Sequence, residues 1–173
     1  MHIRCQQETL LNSVNTVLKA VSNRTTLPIL ECILIETKND QLILVGNDLE
    51  LGIESTISSE VLSQGHVALE AKIFSEIIRK LPNEIVEISV DENFMTTIRC
   101  QNSKFQIAGQ SGTDFPELPK VEKLQGITLP QPKLKDMIRQ TIFSVAQEET
   151  RPILTGELLQ LKDGGFNMVS VDG

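Results

Sequence analysis

An α+β fold of duplicated strand–helix–three-strand units, with helices on one face of antiparallel sheets, follows from three observations. Apolar residues at helical spacing recur in three places, separated by short strand-like runs with turn residues. The order strand, helix, three strands occurs twice in the first 110 residues or so. The sequence then begins again at a constant offset of 124 residues.

The first helix, Thr9–Arg24, is predicted from Leu10, Leu11, Val14, Val17, Leu18 and Val21 on one face. Strands are expected from Ile29 to Glu36, from Gln41 to Val45 after a turn at Lys38-Asn39-Asp40, and from Leu49 to Ile57. The second helix, Ala71–Lys80, carries Ile73, Phe74, Ile77 and Ile78 and is stopped by Pro82-Asn83. Ile85 to Val90, Phe94 to Cys100 and Lys104 to Gly109 supply its three strands, with a turn near Asp91-Glu92-Asn93. A looser stretch from Gln110 to Gly126 contains Pro116 and Pro119 and reads as connecting chain. The third helix, Lys133–Ala146, rests on Leu134, Met137, Ile138, Ile142 and Val145.

At the offset of 124, Ile3 falls on Ile127, Leu10 on Leu134 and Val21 on Val145, and Pro28-Ile29-Leu30 falls on Pro152-Ile153-Leu154. Leu34, Lys38, Val45 and Asp48 meet Leu158, Lys162, Val169 and Asp172, with no gap needed. A shared helix period could arise by accident, but not this register together with the tripeptide. The expected organisation is a complete domain at 1–118, a linker at 119–126 and a second domain at 127–173. The second copy is expected to hold an opening strand, a helix and two strands and to lack the rest of its unit. The chain is therefore read as a truncated piece of a longer protein of repeated domains.

Composition narrows the function classes. Six Phe with no Tyr and no Trp leave no aromatic platform for stacking single-stranded bases. Sixteen Lys and Arg against 23 Asp and Glu, a net charge of −7, argue against a generally basic nucleic-acid binder. Cys5, Cys32 and Cys100 are far apart and odd in number, so they are expected to be reduced, buried thiols rather than disulfides or metal ligands. No signal-peptide stretch or run of membrane-spanning length is present, and a cytoplasmic protein is expected.

The charge is not evenly spread. The three helical segments hold eight basic and two acidic side chains, net +6 in 40 residues, while the other 133 carry 8 basic and 21 acidic, net −13. On a wheel of about 100° per residue, Lys72 and Arg79 lie nearly opposite their apolar stripe, and Lys19 and Arg139 lie well away from theirs. Lysine-rich outer faces also serve solubility alone. The same sign recurring on repeated helices, against an acidic background, points instead to a phosphate backbone, contacted without reading sequence, if the repeats place equivalent helices on one side of a sheet.

Several motifs carry a family resemblance. Asn23-Arg24-Thr25-Thr26-Leu27-Pro28-Ile29-Leu30, Gly46-Asn47-Asp48-Leu49-Glu50, Ala71-Lys72-Ile73-Phe74, Lys80-Leu81-Pro82 and Asp114-Phe115-Pro116 are among them. Phe143-Ser144-Val145-Ala146 and Thr150-Arg151-Pro152-Ile153-Leu154-Thr155-Gly156 complete the set. Together they resemble the N-terminal portion of the bacterial sliding clamp, the beta subunit of DNA polymerase III. The resemblance implies a DNA-clamp fold and a homodimeric ring that encircles duplex DNA and tethers the replicative polymerase, with no enzymatic activity and no cofactor or metal.

By position it implies DNA contacts from Arg24, Lys72 and the loop around Glu148, Pro152 and Ile153, to which the wheel adds Arg79. Glu148 is acidic and the loop lacks the aromatics of some relatives, so a turn-and-core role for Pro152 and Ile153 stands beside the contact role. Arg151, Leu154, Val171 and Gly173 match part of the rim of the family's pocket for short peptide motifs of polymerases and the clamp loader. Phe105 and Ile107 fall where the ring closes.

An enzyme is poorly supported, since the two histidines, His2 and His66, lie in no nucleophile or metal-ligand motif. Asp48 and Glu50 could be drawn as a carboxylate pair, but a strand-end turn accounts for Asp48 and its counterpart Asp172. The alternative is a truncated clamp-like module that binds a partner without encircling DNA.

Overall fold

Alternation in His2–Gln6, strand β1, buries Ile3 and Cys5 and leaves Arg4 and Gln6 in solvent. The computed structural model describes residues 1–22, 25–119, 127–147, 151–162 and 164–172. They fall into two units, Met1–Lys120 and Val121–Gly173.

In the first unit, helix α1 spans Gln7–Val17 and tightens into a 3-10 turn at Leu18–Ala20. It starts two residues before the expected Thr9 because Gln7 anchors it without a capping side chain. The Gln7 backbone N–H donates to Glu84 O at 3.0 Å, and its buried side-chain amide donates to Ile78 O at 2.7 Å. It ends before the expected Arg24 because Val21 is extended and the Ser22 N–H donates to Leu30 O at 3.3 Å, drawing the chain away from the helix axis.

Pro28–Glu31 forms a 3-10 turn opened by Pro28, so strand β2 is Cys32–Lys38 rather than a strand from Ile29. Asn39 and Asp40, both at positive φ, make the two-residue turn into β3, Gln41–Asn47. Strand β4, Gly52–Ser58, begins later than the expected Leu49. Side-chain acceptors claim the preceding loop: Asn47 Oδ1 takes the Leu49 N–H, and Asp48 Oδ1 takes those of Glu50 and Leu51, with Leu49 at φ +77°.

Next come β5 at Glu60–Ser63, which the pattern did not reveal, and β6 at His66–Glu70, the opening strand that the repeated order requires before the second helix but that local pattern does not bound. Helix α2 occupies the predicted Ala71–Lys80. Strands β7, β8 and β9 are Ile85–Val90, Met95–Cys100 and Ser103–Ala108.

The strands form two antiparallel sheets, β4-β3-β2-β6 and β5-β1-β7-β8-β9. The repeats exchange their opening strands: β1 pairs with β7 of the second repeat, and β6 pairs with β2 of the first. The chain after each repeat's last strand also runs on to the opening strand in the other sheet. It continues from β4 through Ser59 into β5, which pairs with β1, and from β9 to Gln110, whose backbone bonds Ala68 of β6 at 2.9 and 3.0 Å.

One core, including Leu10, Val14, Ile33, Leu44, Phe74 and Ile88, joins both helices to both sheets. A smaller cluster of Cys32, Val45, Ala68 and Phe115 covers the other side of β2. Residues 110–118 therefore pack on the first unit rather than forming loose connection; of the expected linker 119–126, only Pro119 is among the described residues. All three cysteines are buried and free.

The second unit contains α3 at Gln131–Thr141, 3-10 turns at Ile142–Ser144 and Pro152–Thr155, and strands β10, Leu158–Lys162, and β11, Gly165–Val169. The duplication holds at the level of individual hydrogen bonds. Leu158 faces Val169 and Lys162 faces Gly165, as Leu34 faces Val45 and Lys38 faces Gln41. The bond from Ala146 N to Leu154 O, at 3.0 Å, repeats that from Ser22 to Leu30.

One expectation fails here. Residues 127–130 form no strand: β1 is held by β5 and β7, and no such partner is among this unit's described residues. Gly46 also differs from its counterpart Ser170. A Cβ on Gly46 would lie 2.3 Å from Val17 O, whereas Ser170 Oγ donates to Thr141 O, the carbonyl equivalent to that of Val17, at 2.5 Å.

Candidate nucleic-acid interface

The charge segregation is clearest on α2. Phe74 and Ile78 are buried, while Lys72, Glu76, Arg79 and Lys80 are exposed. Lys72 and Arg79 are two turns apart and so share a face. Arg79 and Lys80 also oppose the negative end of the helix dipole in the last turn, and the helix stops at Leu81, held extended before Pro82.

On α3, Lys133, Lys135 and Arg139 are exposed beside Asp136. The Arg139–Asp136 pair spans 3.4 Å with both side chains mostly in water. Such a pair contributes about 0–1 kcal/mol, too little to withdraw Arg139 from another anion.

α1 and its 3-10 turn do not join this pattern. They hold Glu8 and Lys19 and no net charge, and Arg24, the second cation expected there, lies outside the described residues. The described residues of α1 with its 3-10 turn, α2 and α3 therefore carry +4 rather than the +6 of the three expected segments, all of it from α2 and α3.

The other predicted positions are scattered. Glu148 and Gly173 lie outside the described residues. Pro152 opens its 3-10 turn as a turn residue should, but Ile153 is 87% exposed and fills no core. Its counterpart Ile29 packs on the Phe115 cluster, and no equivalent of Phe115 is among the second unit's described residues. Arg151 and Val171 are exposed and Leu154 is half-buried, its N–H bonded to Arg151 O at 2.9 Å. Phe105 is exposed on β9, an outer strand of its sheet, while Ile107 packs against the main core.

Asp48 and Glu50 are not a carboxylate pair. Asp48 accepts the Leu51 and Glu50 N–H groups at 2.7 and 3.0 Å, and those bonds hold its carboxyl below the usual range. Among the described residues no group of three or more His, Cys, Asp or Glu could hold a metal ion. No helix among them is long and apolar enough to cross a membrane.

One feature near α2 was not anticipated. A cleft of about 410 Å³ opens at its first turn, lined by Leu18, Val21, Ala71, Glu31, Glu70 and Lys72 among others. Glu70 is two residues from Lys72 in sequence, but Glu31 reaches the cleft only because β2 pairs with β6, placing Cys32 opposite Glu70.

Residues 1–119 match the family described as DNA polymerase III beta subunit, N-terminal domain. The beta sliding clamp of Halalkalibacterium halodurans is 40% identical over 99% of this chain and 47% of its own length. The DNA polymerase sliding clamp of Bacillus subtilis superposes with a TM-score of 0.94 at 38% identity, over 99% of this chain and 47% of that one. The DNA polymerase III subunit beta of Pseudomonas aeruginosa gives 0.93 at 30% identity, over 100% and 47%. The chain thus spans about half the length of these relatives.

Proposed function

The chain belongs to the DNA polymerase III beta subunit family, and from that premise we propose that it forms part of a sliding clamp. Such a clamp closes as a homodimeric ring around duplex DNA and tethers the replicative polymerase in the cytoplasm without catalysing a reaction. The observation that carries this reading is the charge segregation: α2 and α3 each present three cations and one acid in a chain of net charge −7. Cations on helix faces with no base-reading motif suit phosphate contacts that hold DNA without fixing a register.

In this reading Lys72 and Arg79, with Arg24, contact phosphate, and the loop of Glu148, Pro152 and Ile153 lies alongside. Arg151, Leu154, Val171 and Gly173 contribute one side of a pocket for peptide motifs of the polymerase and clamp loader. Phe105 and Ile107 belong to the ring contact, the first domain being 1–118 and the second starting at 127. The exposure of Phe105 and Val171 supports their availability to partners.

The test is equilibrium binding of a fluorescent duplex of roughly 30 bp, titrated against salt. Reversing Lys72, Arg79 and Arg24 to Glu should weaken binding and lower the log–log salt slope by about 1 for each phosphate left without its cation. Unchanged affinity at low salt would mean that these helices are merely solvated faces.

A further inference from the structure

We propose that Glu31 and Glu70 act as an electrostatic brake on the phosphate contact of Lys72, keeping duplex affinity weak enough for movement along DNA. The inference rests on the clamp reading above and deepens it by adding residues that set the strength of that contact.

The three side chains line one cleft from three elements. Glu31 ends the 3-10 turn before β2, Glu70 ends β6, and Lys72 stands in the first turn of α2. The cleft, about 410 Å³ in volume, brings the three residues to one small surface, so their charges act on an anion there over distances on the order of the Debye length at 0.1 M salt, about 10 Å. Among the described residues that line the cleft, a phosphate approaching Lys72 meets one attraction and two repulsions.

Both glutamates are exposed, and among the described residues neither takes part in an ion pair or a side-chain hydrogen bond. No described carboxylate is within ion-pair distance of Lys72 either, so the lysine is free to reach an incoming anion and the glutamates act through their field. That field reaches inward as well. Burial raises the Cys32 thiol, and the Glu70 and Glu31 charges push it further, against a hydrogen bond from Gln110.

The experiment is the same duplex titration on the 173-residue chain, comparing wild type with Glu31→Gln/Glu70→Gln. A control, Glu54→Gln/Glu92→Gln, removes equal charge from exposed positions on β4 and the β7–β8 turn. From unit charges on the order of 10 Å apart in high dielectric, the double variant should bind roughly twofold to fourfold tighter at low salt. The gain should shrink toward about 0.3 M salt as the Debye length contracts. Glu70→Asp, which keeps the charge, should behave as wild type.

An unchanged affinity for the double variant, or an equal gain in the control, overturns the brake. If Lys72→Glu still weakens binding in that case, the clamp reading stands. If wild type, both double variants and Lys72→Glu all fail to bind duplex at low salt, the phosphate contact of Lys72 on which the brake acts is absent and the brake falls with it.

Discussion

Replacing Gly46 by Ala tests how closely α1 sits on its sheet. The ideal Cβ would lie 2.3 Å from Val17 O and 3.2 Å from Val17 C, both backbone atoms, so no rotamer change relieves the clash. Restoring an ordinary contact needs a retreat of roughly 1 Å at the end of α1, which would loosen Val14 and Val17, both fully buried. Overpacking of this kind costs about 1–3 kcal/mol, and the entropy saved by removing a strand glycine returns about 0.5 kcal/mol. A net loss of about 2 kcal/mol corresponds to a fall in Tm of roughly 6–10 °C for a unit of this size. Far-UV circular dichroism during thermal and urea unfolding reads the change. Gly52→Ala is the comparison: its Cβ would meet Leu118 Cδ2 at 2.2 Å, the end of a side chain that can turn away. That variant should lose less than about 1 kcal/mol. A Gly46→Ala protein within about 0.5 kcal/mol of wild type would show that α1 is not held against β3 as described.

Three further outcomes are expected. Gln7→Ala should cost roughly 1–3 kcal/mol in urea unfolding, because it removes a buried 2.7 Å bond to Ile78 O that ties the start of α1 to α2. Cys5, whose thiol burial pushes up to about 12, should resist a thiol reagent at mildly alkaline pH until denaturant is added; prompt labelling of the folded protein would contradict its burial. Asp48→Asn should destabilise at neutral pH. Because the Asp48 carboxyl is held below its usual range, its contribution is complete above the unfolded value and fades as pH falls through the lowered one, so the two Tm curves should converge in acid.

The sequence was legible where local chemistry is decisive. The span of α2 could be read because helix-spaced apolar residues meet a proline stop, and the duplication because one offset aligns whole elements. The start of α1 was not, since it depends on Gln7 bonding to residues far along the chain. Neither were β5 and the bounds of β6, since both strands are short and take their place from partners in distant segments. At the interface, Lys72 and Arg79 stood out as cations opposite an apolar stripe. Glu31 did not, because only strand pairing brings it to the cleft beside Lys72.

The exchange of opening strands bears on how the first unit must form. β1 is made early but finds its partners only in β5 and β7, while β2 waits for β6. Neither repeat contains a finished sheet, so neither should persist alone, and assembly should be a single cooperative step dominated by pairings distant in sequence. A break between β5 and β6 would yield two fragments, each lacking a strand that the other holds. Such halves should be unstructured apart and reassemble when mixed, as complementary parts of one folding unit.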